Sequence, residues 1–115
     1  MPNDLKIRTK QLALRVIKMF GRLPKTTVAR VLGKQVLRSG TSVGANYREA
    51  DEGRSKAEFI AKMGDSLREL SETEYWLELL VESETVKPEA MTPLLEETRE
   101  LKAIFATIIR KARSA

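Results

Sequence analysis

The chain has 115 residues, 42% of them hydrophobic, 32% charged and 5% aromatic, with a formal net charge of +5. One domain is the natural expectation at this length, with about 6,300 Å² of surface left in the folded state. The absence of Cys and His excludes disulfides, thiolate chemistry, the usual neutral-pH proton shuttle and the commonest transition-metal ligand.

The first segment, MPNDLKIRTK, lacks the apolar stretch of a signal peptide. No apolar run approaches a membrane span, so a cytoplasmic protein with no membrane contact is expected. A first helix is predicted over about 3–20. Leu5, Leu12, Val16 and Phe20 recur at helical spacing, with Ala13 and Ile17 beside them. Lys6, Lys10, Arg15, Lys18 and Arg22 lie off that face. Gly21 and Pro24 end it.

Thr26 or Thr27 suits the N-cap of a second helix over about 27–52. Its apolar side reads Val28, Val31, Leu32, Val36, Val43, Tyr47 and Ala50, and Gly53 follows as a C-terminal stop. Gly40 and Gly44 each cost about 1 kcal/mol relative to Ala, which leaves a break near Ser39–Ser42 open. Ser55 and Glu58 form a capping-box pair at the start of a third helix over about 56–83. Phe59, Ile60, Met63, Leu67, Leu70, Leu77, Leu80 and Val81 carry its stripe. A turn region containing Pro88 follows. The fourth helix, about 89–112, starts at Glu89 or at Thr92-Pro93, where a proline after a capping residue favours the first turn. Leu94, Leu95, Leu101, Ile104, Phe105, Ile108 and Ile109 face its core. The terminal RKARSA suits the negative end of a helix dipole. Nothing alternates with period two. Four amphipathic helices with short turns predict an all-α, up-down-up-down antiparallel four-helix bundle as one domain, residues 1–115.

Two polar stripes run beside the apolar ones. Gln35, Ser39, Ser42, Asn46 and Glu49 follow a 4-3-4-3 spacing on the second helix, with Arg38 alongside. Lys62, Ser66, Glu69, Thr73 and Trp76 do the same on the third, flanked by Glu72. If they face each other, Arg38 or Arg48 pairs with Glu69 or Glu72, and Lys62 with Glu49. A polar network that sets helix register is the favoured reading over a catalytic pocket. Gly40 and Gly44, four apart, allow a close approach to a neighbouring surface.

The middle section, QVLRSGTSVGANYREADEGRSKAEFIAKMGDSLRELSETEYWLELL, Gln35 to Leu80, resembles the bacterial four-helix bundle protein family, also called the 23S rRNA intervening-sequence or S23 family. Gln35, Arg38, Ser42, Asn46, Glu49-Ala50, Ser55, Phe59, Glu69 and Glu72 carry the likeness, with Tyr75-Trp76-Leu77 resembling a close subgroup. The resemblance implies a four-helix bundle assembled as a homopentameric ring. It also implies relatives encoded within rRNA intervening sequences. A more distant relative is the accessory protein of diversity-generating retroelements, a basic pentamer that binds nucleic acid and a reverse transcriptase. Most members have no defined activity, and the family is not a standard ribosomal component.

Charge gives the functional lead. Residues 1–40 hold ten Lys/Arg against Asp4 alone, a net of +9, whereas 41–115 carry −4. Lys6, Lys10, Arg15, Lys18, Arg22, Lys25, Arg30 and Lys34 are therefore candidates for binding RNA or DNA, or a nucleic-acid-processing protein, by electrostatics without sequence specificity. The alternative is a scaffold for an acidic protein partner that binds no nucleic acid. The ten carboxylates between Glu69 and Glu100 make a neighbouring subunit one such partner.

Enzyme motifs fail on inspection. Gly33-Lys34 resembles the end of a phosphate loop, but Val28 stands where a Gly belongs and Gln35 replaces the Ser/Thr. Glu49/Glu52 and Glu69/Glu72 are carboxylate pairs without the His of a di-metal bundle. Ser39 and Ser42 have no His base. Tyr47, Tyr75 and Trp76 fit core or interface better than base stacking. No enzymatic activity, cofactor or metal is expected.

Overall fold

The computed structural model describes residues 4–115. Among these are four helices and no strand: α1 (Asp4–Gly21), α2 (Thr27–Asp51), α3 (Lys56–Glu82) and α4 (Pro88–Ser114). The expected helix start at Asn3 lies outside the described residues. No helix among them is long and apolar enough to cross a membrane.

Side-chain contacts fix the register. Gly33, Gly40 and Gly44 of α2 lie against Phe20, Val16 and Thr9 of α1, so one chain runs up as the other runs down. Ser66 of α3 donates to the Val43 carbonyl, and Thr73 to the Ser39 hydroxyl, again in opposite directions. Arg99 and Lys102 of α4 reach Glu74 of α3, while Lys56 at the start of α3 meets the Ala115 carbonyl. Arg8 of α1 meets Glu97 of α4. The helices therefore form an antiparallel up-down-up-down bundle, 46 Å long and 22 × 19 Å across. Its surface of 6993 Å² exceeds the 6,300 Å² or so expected for this mass because a rod exposes more than a sphere.

The core is a single column of side chains. Leu12 and Val16 of α1, Val36 and Val43 of α2, Met63, Leu70, Leu77 and Leu80 of α3, and Leu101 and Phe105 of α4 are fully buried. Tyr47 packs on Phe105 with ring centroids 5.7 Å apart, and burial raises its phenol pKa above the ordinary value.

Several expectations change at this level. α2 is unbroken through Ser39–Ser42, because Gly40 and Gly44 sit where α1 comes closest and any larger residue meets Val16 or Thr9. Val28 and Val31 of α2 and Ile17 of α1, all read as core-facing, are at least half exposed. Thr26, rather than Thr27, caps α2, its hydroxyl accepting from the Ala29 N–H at 3.2 Å. α4 starts at Pro88. Thr92-Pro93 is not its boundary: Thr92 donates its hydroxyl to the Pro88 carbonyl at 2.9 Å, and Pro93 lies inside the helix. Proline tolerates the first turn of a helix, and Pro88 already occupies that place.

Candidate nucleic-acid interface and the polar seam between α2 and α3

The two polar stripes meet. The Ser55 and Thr26 caps set where α3 and α2 begin, and the α2–α3 turn between them brings the stripes together in antiparallel register. Ser39, Ser66 and Thr73 are fully buried. Thr73 Oγ1 donates to Ser39 Oγ at 2.8 Å, and Ser66 Oγ to the Val43 carbonyl at 2.7 Å. Buried hydroxyls without partners cost about 1–3 kcal/mol each, so these bonds reject any slipped pairing of the helices.

The outer edge of the seam is charged. Arg38, not Arg48, bridges Glu69 at 3.2 Å and also Glu72. Gln35 accepts from Arg38 Nε at 3.4 Å. The hydrogen bond that Arg38 donates to Glu72, then the nearby carboxylate charges, raise the Arg38 pKa. Lys62 meets Glu49 at 2.7 Å, which raises its pKa in the same way. Ser42 donates back to the Arg38 carbonyl at 2.7 Å, an intrahelical bond. Asn46 is half-buried on the same side. Trp76 is half-buried, stacks edge-on with the exposed Tyr75 at 5.1 Å, and leaves its buried Nε1–H without an acceptor. At one end of the seam an open recess of about 330 Å³ is lined by Glu49 and Lys62 with Arg54 and Glu58; the buried part, held by the Ser66 and Thr73 hydroxyls, is a helix-pairing surface.

The eight candidate cations behave differently. Lys6, Lys10, Arg15, Lys18, Arg22, Lys25, Arg30 and Lys34 make no ion pair among the described residues, and all but the half-buried Lys6 are exposed. The bases that do pair across helices are Arg8, Arg38, Lys62, Arg99 and Lys102. Six of the eight gather toward the α1–α2 turn. Arg15, Lys18 and Arg22 line a cleft between α1 and α4, Lys25 and Arg30 line a recess at the turn, and Lys34 lies one helical turn beyond Arg30. Lys10 lies about 18 Å further down α1 from Arg22, and Lys6 beyond it.

Sequence reading missed the pairs that neutralise the acidic stretch. Arg8 forks onto Glu97 at 2.7 and 3.0 Å and reaches Glu100 at 3.2 Å. Arg99 holds Glu74 and Glu78, and Lys102 adds a second bond to Glu74. The Lys102 bond, reinforced by Arg99, holds the Glu74 carboxyl below the usual carboxylate range. The only signal in the sequence was the position of these bases on the flanks of α1 and α4, which gains meaning once the two helices are known to pair.

Comparison with known proteins agrees with this architecture. Curated proteins give no match. A crystal structure described as a protein of unknown function from the S23 ribosomal protein family of Bacteroides thetaiotaomicron VPI-5482 is 38% identical, with a TM-score of 0.87. The match covers 94% of this chain and 96% of that one. The family model for the 23S rRNA-intervening sequence protein matches residues 3–107. The chain therefore belongs to the 23S rRNA-intervening sequence protein family.

Proposed function

We propose that this protein is a cytoplasmic, non-enzymatic, homo-oligomeric bundle that binds RNA or DNA, or a nucleoprotein, through the basic side of α1 and the start of α2. The observation that carries the reading is the division of labour among its cations. Six acids of α3 and α4 are met by Arg8, Arg38, Arg99 and Lys102, while the eight candidate bases make no ion pair among the described residues. Exposed cations without an internal partner release counterions from a phosphate backbone at no internal cost.

The rival reading, a scaffold held by its own neighbour's acidic face, has less to work with. Of the ten carboxylates between Glu69 and Glu100, six are already paired inside the protomer, leaving Glu82, Glu84, Glu89 and Glu96. Self-assembly has better material in the exposed apolar residues: Ile7, Leu14 and Ile17 on α1, Val28 and Val31 on α2, and Tyr75 on α3. Two separate apolar surfaces on one protomer suit a head-to-tail contact, which closes into a ring when the rotation allows. A pentamer is the ring size that family resemblance implies, and a ring repeats the basic surface around one polyanion.

Fluorescence anisotropy with RNA and DNA over a salt series tests the binding. The expected result is affinity that falls steeply and linearly with log salt. Replacing Lys25, Arg30 and Lys34 together by Gln should lower the slope by about one for each phosphate contact removed. No binding at low salt, or binding indifferent to salt, would refute the reading.

A further inference from the structure

The last two turns of α1 and the first two turns of α4 do not close on each other. Between them lies a cleft of about 320 Å³. Met19, Met91 and Leu94, buried residues of the core, form its floor. Arg15, Lys18 and Arg22 stand along the α1 wall, and the α4 wall is Ala90 and Pro93, both exposed and uncharged. No carboxylate lines the cleft, and none of the three cations has an ion pair among the described residues. The opening has a local cause. Ala90 and Pro93 are short side chains that leave the space between α4 and α1 unfilled.

Size and chemistry narrow the occupant. The volume sits at the low end of small-ligand sites, and a helix of about 10 Å diameter does not fit. Three adjacent cations call for phosphate or carboxylate. A bare inorganic anion would leave the Met/Leu floor wet. A body that is flat and apolar on one side and anionic at its edge satisfies both walls. An unpaired nucleotide has that form: thioethers pack well on aromatic rings, and guanidinium groups stack on bases while binding phosphate.

We infer that this cleft seats one unpaired nucleotide of a single-stranded segment, its base on Met19, Met91 and Leu94 and its flanking phosphates on Arg15, Lys18 and Arg22. The inference rests on the nucleic-acid reading above and adds a preference for single strands. A duplex keeps its bases stacked and paired, so it meets only the outer cations. Electrostatics alone would favour the duplex, whose charge density is higher, so a single-strand preference is diagnostic of the cleft.

Anisotropy of the full chain with an oligonucleotide, single-stranded and annealed, at matched phosphate number and salt tests this. The wild type should bind the single strand about tenfold tighter, the margin that one seated base supplies. Ala90→Phe fills the cleft from an exposed helix position and removes no core side chain. It should abolish the margin while duplex binding and its salt slope stay unchanged. A 2-aminopurine placed in the strand should brighten on unstacking with the wild type and not with Ala90→Phe. If Ala90→Phe lowers the melting temperature, Ala90→Leu serves as the milder plug. Equal affinity for both strands, or a margin that survives the plug, overturns the cleft and leaves the nucleic-acid reading standing. Loss of binding to both forms at low salt would refute that reading and the cleft with it.

Discussion

Two glycines show how differently the same residue is used in this bundle. A Cβ on Gly40 would lie 2.8 Å from Val16 Cγ2 and 3.2 Å from Cγ1. Val16 is fully buried and β-branched, so it has no free rotamer to yield. On Gly64 of α3, a Cβ meets nothing within 4 Å. Ala is the better helix former at both sites by about 1 kcal/mol, yet the outcomes should have opposite sign. Gly64→Ala should raise stability by about that amount. Gly40→Ala should lower it by about 1–2 kcal/mol, because overpacking outweighs propensity. Urea denaturation of the two variants checks the contrast, and a stabilised Gly40→Ala would mean that α1 does not approach α2 as closely as described. The buried Ser39–Thr73 bond makes a related point. Either residue alone reads as surface-like, and only the facing partner makes burial affordable.

At the scale of elements, α3 and α4 are held along one edge by a four-residue charge cluster of Glu74, Glu78, Arg99 and Lys102. Glu74 has a side chain only 17% exposed and accepts from both Lys102 and Arg99 at 2.7 Å. Its folded pKa is lowered, by Lys102 first and then by Arg99. A carboxyl with a depressed folded pKa contributes stability above its unfolded pKa and loses that contribution as pH falls through the folded value. Glu74→Gln keeps the shape and removes the charge. It should cost about 1 kcal/mol at neutral pH, discounted for the exposure of both cations. The gap from wild type should close as pH drops below the ordinary carboxylate range. Thermal melts of both proteins across that range decide it, and a pH-independent gap would assign the loss to packing instead. The start of α4 illustrates a competing rule at the same scale. Thr92-Pro93 has the composition of a helix start, but Lys87-Pro88 comes earlier and already begins the helix.

For the whole molecule, apolar and charged surfaces predict separable behaviours. Ile7, Leu14 and Ile17 lie on the side of α1 opposite Leu12 and Val16, where they add nothing to the protomer's own core. Contacts built on them are strengthened by salt or indifferent to it, whereas phosphate contacts are weakened. Native mass spectrometry and sedimentation should therefore find an oligomer that persists in high salt, under conditions that strip bound nucleic acid. Leu14→Glu, on an exposed position, should reduce the mass toward one chain without lowering helicity. A single-chain mass for the wild type at every concentration would refute self-assembly, and an oligomer that falls apart in salt would restore the charge-paired scaffold.

Periodicity in the sequence determined four amphipathic helices, their order and most of their core. Burial of a 3.6-residue stripe leaves its mark residue by residue, and short turns permit little besides antiparallel neighbours. The spacing of Arg38, Glu69 and Glu72, and of Lys62 and Glu49, also belonged to the sequence, since two heptad stripes meet in few registers. Only the tertiary structure decided that Val28, Val31 and Ile17 face outward, that Arg8 and Lys102 neutralise α4 and α3, and that Arg15, Lys18 and Arg22 share a cleft with Met91. Each of these depends on how far one helix is rotated against a neighbour distant in sequence. A hydrophobic pattern leaves that angle open by the width of its stripe, and packing alone closes it.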